Sequence, residues 1–239
     1  MRRRYPFAVG EIYHIYNRGV AKCPICLEEK DYWRFLQGLC LFNDSKSSNA
    51  ILSTLERNKK RLTMNVLKEY ITKEGKERNR LVRILAYCGM ENHYHLIVEE
   101  IQEGGITKFM HKLGVGYAKY VNIKYDRVGS LFQDKFKNVL VETEPQLLYL
   151  LVYVNVLNPV SIIEPNWKEN GIQDITKALA FAEKYLWSSH ADYLGVRGSL
   201  IIEKGVLGNL LPTPKAYQEL VKAVLEGKKR TQIEHLTLE

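Results

Sequence analysis

The sequence predicts an α+β fold, and three observations lead to this prediction. Short runs rich in Tyr, Ile and Val mix irregularly with amphipathic stretches, which argues against strict βαβ alternation. Two apolar runs flank a four-residue turn and predict an antiparallel hairpin. A capping sequence followed by a long apolar run predicts a buried helix. With 239 residues, the chain fits one large domain or a domain with an appendage.

The first elements are a strand, a helix and a basic insertion. Glu11–Arg18 is rich in Tyr and Ile and stops at Gly19, which is typical of a strand. Apolar side chains at helical spacing predict a helix over Asp31–Phe42. The stretch 44–80 is irregular and basic, and we interpret it as a solvated insertion that contains a helix around Thr63–Lys73.

The middle of the chain predicts a hairpin, a helix and a further strand. The apolar runs Leu81–Cys88 and His93–Glu99 are separated by Gly89-Met90-Glu91-Asn92, whose residue types favour a turn. Apolar residues recur on one stripe of Ile106–Tyr125, with lysines elsewhere, so this stretch predicts an amphipathic helix. Ser130–Val141 then predicts another strand.

A buried helix and a helical C-terminal extension complete the prediction. Thr143-Glu144-Pro145-Gln146 matches a capping box, the apolar run 147–157 follows, and Asn158-Pro159 is expected to end the helix. Further helices are expected near Ile175–Leu186 and from Pro214 to about Gly227. We therefore divide the chain into a core, 1–160, and an extension, 161–239, packed on it.

Charge and cysteine content narrow the class of protein. Lys and Arg number 35 against 27 Asp and Glu, which gives a net charge of +8. A basic surface is compatible with nucleic acid, an acidic partner or an anionic membrane. No apolar run is long enough to cross a bilayer, and no signal peptide is evident. Cys23 and Cys26 have the spacing of half a zinc site, but no second pair exists, so we expect a plain loop and a cytoplasmic location.

His93 and His95 are the sharpest local feature. Side chains two residues apart on a strand point to the same face, so these imidazoles lie side by side. That arrangement suits one divalent metal ion, while a pair of structural histidines is the alternative.

A tyrosine and a series of polar residues accompany the histidines. Tyr153 lies in the predicted buried helix, and Gln133, Lys135 and Lys137 alternate along the preceding predicted strand. A tyrosine that attacks a phosphodiester needs a metal to polarise the phosphoryl oxygen and cations to neutralise neighbouring phosphates. The sequence therefore favours tyrosine chemistry on nucleic acid, although any one of 15 tyrosines is more often a core residue.

These residues resemble the HUH single-strand transposases with one catalytic tyrosine, in particular the REP-associated tyrosine transposase branch of the IS200-like family. The resemblance runs from about Val9 to about Gly195. The segments that carry it are Tyr13–Gly19, Leu85–Val98, Gly129–Lys137, Tyr153, Asn158-Pro159, Trp187–Ser189 and Tyr193–Gly195.

The resemblance implies a ferredoxin-like antiparallel sheet backed by helices, usually in a homodimer. It implies that His93 and His95 hold Mg²⁺ or Mn²⁺ and that Tyr153 attacks single-stranded DNA. The products would be a 5′-phosphotyrosine link and a free 3′-hydroxyl, which rejoin without a nucleotide cofactor. Related proteins recognise DNA hairpins.

Two positions depart from the family pattern. Glu91 stands where members commonly have proline, a mild change in a turn. Members place the Asn of Asn-Pro four residues after the tyrosine, whereas Asn158 follows Tyr153 by five. Counted from the cap, Tyr153 falls at the expected nucleophile position, and Asn158 can still serve as a third metal ligand if the last turn bulges. Tyr149 is the alternative nucleophile and Asn155 the alternative ligand.

The remaining candidate residues are considered as DNA contacts or as structural residues. The candidate phosphate contacts, each of which is otherwise an ordinary solvated charge, are Arg18, His111, Lys112, Lys119, Arg127, Lys135 and Lys137. His14 could face the site, but a structural role is the simpler interpretation. Besides an active enzyme, two functions stay open: a DNA- or RNA-binding protein with weakened chemistry, and a metal-dependent hydrolase without a covalent intermediate.

Overall fold

The computed structural model describes residues 7–46, 63–73 and 78–227, and the predicted α+β class is confirmed. Most of the basic insertion and the last residues of the extension lie outside the described residues. The strands are β1 (Ile12–Arg18), β2 (Val82–Gly89), β3 (His93–Glu100) and β4 (Lys137–Leu140). The helices are α1 (Glu29–Phe42), α2 (Met64–Lys73), α3 (Gly105–Lys124), α4 (Glu144–Val152), α5 (Asn158–Val160), α6 (Trp167–Asn170), α7 (Ile175–Lys184), α8 (His190–Tyr193), α9 (Val206–Leu210) and α10 (Pro214–Leu225).

The four strands form one antiparallel sheet in the order β2-β3-β1-β4. With α1 and α2 between β1 and β2, and α3 between β3 and β4, this is the ferredoxin-like arrangement. The β2–β3 hairpin has the predicted turn, which Met90 closes by donating its backbone N–H to the His93 carbonyl at 2.8 Å.

The sheet separates two hydrophobic cores, because successive side chains of a strand point to opposite faces. On one face, Tyr94, Leu96 and Val98 of β3 join side chains of α1 and α3. On the other, Ile97 of β3 joins α4 and the helices that follow it. We call the second face the histidine face, because His95 alternates onto it.

The predicted strand Ser130–Val141 is wrong in its first half, since only Lys137–Leu140 is strand. N-terminal to this strand, an isolated β-bridge joins Gly19 to Phe132. Residues 133–135 are exposed in succession, so Gln133 and Lys135 do not alternate on one face with Lys137. In this segment, side-chain hydrogen bonds take the place of a strand ladder. One of them runs from the Asn17 side-chain amide to the Asp134 carbonyl at 3.0 Å.

The helix after Thr143 begins as predicted but does not end as predicted. Thr143 and Gln146 form the reciprocal capping box. Proline was expected to end the helix before Asn158-Pro159, yet Asn158 has helical torsions and helical structure continues to Val160. The reason is a widened turn, Tyr153–Leu157, which makes room for the proline ring.

The chain after Val160 packs on the histidine face. Trp167, Ala178, Tyr193 and Tyr217 share one core with α4. Residues 187–189 lie against the free edge of β2, where Gly89 donates its N–H to the Trp187 carbonyl at 2.9 Å. Among the described helices, none combines the length and apolar character needed to span a bilayer.

Gly19 couples the end of β1 to the turn before His93. Its N–H donates to the Asn92 carbonyl at 2.8 Å. A side chain at this position would overlap the carbonyl oxygen of Cys23. We therefore expect Gly19→Ala to lower the free energy of unfolding by about 1–3 kcal/mol, measured by urea denaturation.

The matched control for this prediction is Gly198→Ala, because a β-carbon at Gly198 would meet no atom within 4 Å. We expect this control to change the free energy of unfolding by less than about 0.5 kcal/mol. Equal stability of the two variants would show that the close approach at Gly19 does not constrain the turn.

Candidate nucleic-acid cleavage site

The site is built on β3, where His93 and His95 lie side by side on the histidine face. Their ring centroids are 5.0 Å apart and the ring planes are nearly perpendicular. The His95 side chain is 1% exposed, and that of His93 is half-buried. The expected pairing of the two imidazoles is therefore present in the fold.

Each of these histidines has its Nδ1 atom engaged by a neighbour. The Nδ1 of His95 is 2.9 Å from the Nε2 of His14 on β1. The Nδ1 of His93 is 2.6 Å from the Oδ1 of Asn92 in the hairpin turn. Such contacts fix ring orientation, and Nε2 is then the nitrogen through which either ring would bind a metal. His14 thus contacts the candidate site through His95.

Tyr153 lies against these histidines. Its ring centroid is 5.5 Å from that of His95 and 6.2 Å from that of His14, both in edge-to-face geometry. The Trp167 ring lies 6.3 Å away, and the Tyr153 side chain is 1% exposed. The fold therefore brings the predicted nucleophile beside the predicted metal ligands, in a covered position.

Tyr149 is placed differently, one turn before Tyr153. It lines a cavity of about 180 Å³ together with Trp167 and residues of α10, among them Val224. Its side chain is largely buried, at 8% exposure.

A π turn accommodates the five-residue interval between Tyr153 and Asn158. The N–H of Asn158 donates to the carbonyl of Tyr153, an i→i+5 bond in place of the usual i→i+4 bond. Residue 158 is thereby stacked over residue 153, as residue i+4 is stacked over residue i in an α-helix. The last turn therefore bulges, which was the condition for Asn158 to serve as a third metal ligand.

The amide of Asn158 fits a metal ligand. The side chain is 5% exposed, and its Nδ2 atom is buried and makes no hydrogen bond within the described residues. A half-turn of the amide replaces this nitrogen with an oxygen, the donor atom that Mg²⁺ prefers. The part of the chain that the structure describes holds no cluster of three His, Cys, Asp or Glu side chains suited to a metal.

Asn155, the alternative ligand, is engaged elsewhere. Its Oδ1 accepts a hydrogen bond from Ser189 at 2.6 Å, and its Nδ2 donates to the Tyr217 hydroxyl at 3.2 Å. Both ends of the amide are thus held by the C-terminal extension.

Part of the predicted cationic set lies near the histidines. Register places Cys88, His95, Tyr16 and Lys137 in one row across the sheet, which we call the transverse row. The Lys137 ammonium is 5.9 Å from the Tyr16 ring centroid. Arg18 lies opposite His93 in the ladder. Tyr16 was not predicted as a site residue, although its position two residues after His14 on β1 was the available signal.

The other predicted cations lie elsewhere, and Lys135 is exposed in the loop before β4. Arg18, although opposite His93, donates to the Gln133 side chain at 2.6 Å. His111, Lys112 and Lys119 lie on α3, which packs against the opposite face of the sheet. The Lys112 ammonium donates to the backbone carbonyls of Asp44 and Lys46. The predicted DNA contacts therefore do not form one surface.

The sulfur atoms of Cys23 and Cys26 lie beside different groups. Burial raises the pKa of Cys26 to about 12, and its sulfur lies 3.2 Å from the Tyr117 hydroxyl. The Arg127 guanidinium lies 3.8 Å from the sulfur of Cys23.

Comparisons with known proteins agree with the resemblance found in the sequence. Residues 47–156 match the model of the "Transposase IS200 like" family, a span that includes both histidines and Tyr153. The resemblance to IS200-like transposases is therefore confirmed over just under half of the chain.

The structure of a REP-associated tyrosine transposase bound to a REP hairpin aligns with 83% of this chain and 88% of that chain, at a TM-score of 0.47 and 10% identity. No curated protein sequence matches the chain.

Proposed function

We propose that this chain, whose residues 47–156 are similar to IS200-like transposases, is itself a transposase that cleaves and rejoins single-stranded DNA. Tyr153 is the proposed nucleophile, and a divalent metal is the proposed cofactor. The observation that supports the proposal best is the 5.5 Å approach of the Tyr153 ring to His95, on the strand that also carries His93.

Three side chains would hold the metal ion, Mg²⁺ or Mn²⁺. These are His93 and His95 through Nε2, and Asn158 through its amide oxygen. When bound, such an ion supplies Lewis acidity toward a phosphoryl oxygen. His14 would keep the His95 ring in the orientation in which Nε2 is the metal-binding nitrogen.

The proposed reaction is a phosphoryl transfer to tyrosine. The Tyr153 oxygen forms a bond to phosphorus, and the bond from phosphorus to the 3′ oxygen breaks. The phenol loses its proton, and the departing 3′ oxygen gains one. Attack by another 3′-hydroxyl reverses these changes and joins two strands. Bond energy is conserved in the phosphotyrosine link, so no nucleotide cofactor is required.

The burial of Tyr153 favours a second candidate function. A side chain that is 1% exposed reacts with a DNA phosphate only after the residues that cover it move. A chain in which they do not move would bind nucleic acid through its cations and lack efficient cleavage. This second function is a DNA- or RNA-binding protein on the same fold.

Denaturing electrophoresis of the full chain distinguishes these functions. The protein is incubated with labelled single-stranded hairpin DNA and Mn²⁺, and an adduct that survives denaturant supports the transposase. Loss of this adduct when EDTA is added supports the metal. A mobility shift in native gels without an adduct would instead support the binding protein. Cleavage that persists after both Tyr153 and Tyr149 are replaced by Phe would identify a metal-dependent hydrolase.

Lys137 is the proposed phosphate contact that lies in the transverse row with His95, and the salt dependence of DNA binding tests it. DNA affinity falls as salt rises because bound cations release counterions. We expect Lys137→Ala to reduce the slope of log affinity against log salt by about 1. Lys119→Ala is the matched control, because Lys119 is also exposed but lies on α3 behind the sheet. Equal slopes in the two variants would contradict the proposed DNA path.

We also propose a partner, an assembly and a location for the chain. The proposed partner is hairpin DNA and the proposed assembly is a homodimer, both on the basis of the family resemblance. A cytoplasmic location agrees with four free cysteines, which stay reduced in that compartment.

A further inference from the structure

Pro159 removes the usual hydrogen-bond donor of one backbone carbonyl in the helix that carries Tyr153. Proline has no N–H to donate to the carbonyl four residues earlier, and its ring crowds that carbonyl. Here that carbonyl belongs to Asn155, inside the π turn Tyr153–Leu157. An acceptor at this buried position requires a donor from outside the helix.

Ser188 supplies this donor. Its hydroxyl donates to the Asn155 carbonyl at 3.1 Å. The neighbouring Ser189 hydroxyl donates to the Asn155 side-chain amide at 2.6 Å. All three residues are fully buried, so water does not compete for these bonds. The C-terminal extension thus contacts both the backbone and the side chain of Asn155.

The serines are themselves fixed to the sheet. The Ser189 N–H donates to the Tyr87 carbonyl at 2.9 Å, and the Tyr87 N–H donates to the Ser189 hydroxyl at 3.1 Å. The Arg197 guanidinium donates to the Ser188 carbonyl. The π turn is therefore linked to strand β2 through residues 187–189, which we call the serine strap.

A second contact supports the same arrangement. The Asn155 amide donates to the Tyr217 hydroxyl on α10, and that hydroxyl lies 2.8 Å from the Nδ1 of His190. Burial lowers the pKa of His190 to about 4, so its ring is neutral near pH 7. The polar cluster around Asn155 is therefore held by hydrogen bonds between neutral side chains.

We infer that Ser188 is a positioning residue for strand cleavage: it holds the π turn in which Asn158 bonds back to Tyr153, whose ring lies against His95 and His14. This inference rests on the proposed function. A π turn is a rare, locally unfavourable conformation that persists where its surroundings support it. If the turn relaxed to an ordinary α-turn, residue 158 would rotate away from the side of residue 153, because each residue advances the helix by about 100°.

The variant Ser188→Ala tests the inference. We expect the rate of adduct formation to fall roughly 10²-fold, since small displacements of reacting groups have effects of this size. The dissociation constant for hairpin DNA should change less than about threefold, because binding depends on cations elsewhere. Ser188→Thr keeps the hydroxyl and should restore most of the rate. The matched control is Ser199→Ala, whose hydroxyl accepts from the Ile201 N–H and does not contact Asn155.

A double-mutant cycle with Pro159→Ala makes the test specific. Alanine at 159 restores an N–H that can donate to the Asn155 carbonyl, so Ser188→Ala should slow the reaction much less in this background. Equal rate losses in both backgrounds would overturn the inference. A rate for Ser188→Ala equal to that of Ser199→Ala would overturn it as well.

Hydrogen exchange keeps the inference testable without catalysis. We expect the backbone amides of 155–158 and 160 to exchange roughly ten- to a hundredfold faster in Ser188→Ala than in the parent chain. Unchanged exchange would show that Ser188 does not hold the turn. If the parent chain forms no adduct at all, the proposed function fails, and exchange alone decides whether the strap supports the π turn.

Discussion

The variant Tyr153→Phe is expected to form no covalent adduct with DNA, a loss of at least about 10³-fold in strand cleavage. The change removes the one atom that would attack phosphorus. The ring remains, and with it the edge-to-face contacts to His95 and His14. We therefore expect hairpin binding to be retained, and a denaturing gel with labelled hairpin DNA separates the two effects.

Tyr149→Phe is the matched control for this prediction. Tyr149 lies on the same helix and is also buried, but it lines the cavity against α10. We expect this variant to form the adduct at close to the parent rate. An adduct that survives Tyr153→Phe and disappears in Tyr149→Phe would transfer the nucleophile to Tyr149.

His93→Ala is expected to lower cleavage by roughly 10³-fold while hairpin affinity stays within a few-fold. Loss of a metal ligand removes about 4 kcal/mol of transition-state stabilisation, and each 1.4 kcal/mol is tenfold in rate. Affinity depends mainly on cations spread along the DNA path. Two measurements are required, cleavage in Mn²⁺ and direct Mn²⁺ binding by calorimetry, and both should fall.

Comparison with two other histidines sharpens this prediction. His95→Ala should lose cleavage similarly but also lower stability by about 1–3 kcal/mol, since it removes the buried partner of His14. His111→Ala, an exposed change on α3, should leave cleavage unchanged. Parent-like cleavage by His93→Ala or His95→Ala would refute the metal assignment.

The elements around His93 could be predicted from the sequence because local patterns determine them. The hairpin, the capping box at Thr143 and the shared face of His93 and His95 all depend on residues close together in the chain. The extra residue before Asn158 made a bulge the condition for Asn158 to act as a ligand, and the structure shows a π turn there.

The features that the sequence did not predict depend on contacts between distant segments. Local hydrogen bonds displaced the start of the strand before Lys137. Helical structure continues past Asn158, and the Asn155 carbonyl that Pro159 cannot bond accepts instead from Ser188, far along the chain. The cations were predicted one by one, and only the topology shows that those on α3 lie behind the sheet.

The transverse row has a consequence for how a DNA strand would arrive. Along it, Lys137 is exposed, Tyr16 is half-buried, and His95 and Cys88 are buried, so solvent access decreases steadily from one edge of the sheet to the other. The serine strap closes the far edge beside Cys88. Under the proposed function, a backbone phosphate would meet the ammonium first and the imidazole last, which gives the substrate a single direction of entry.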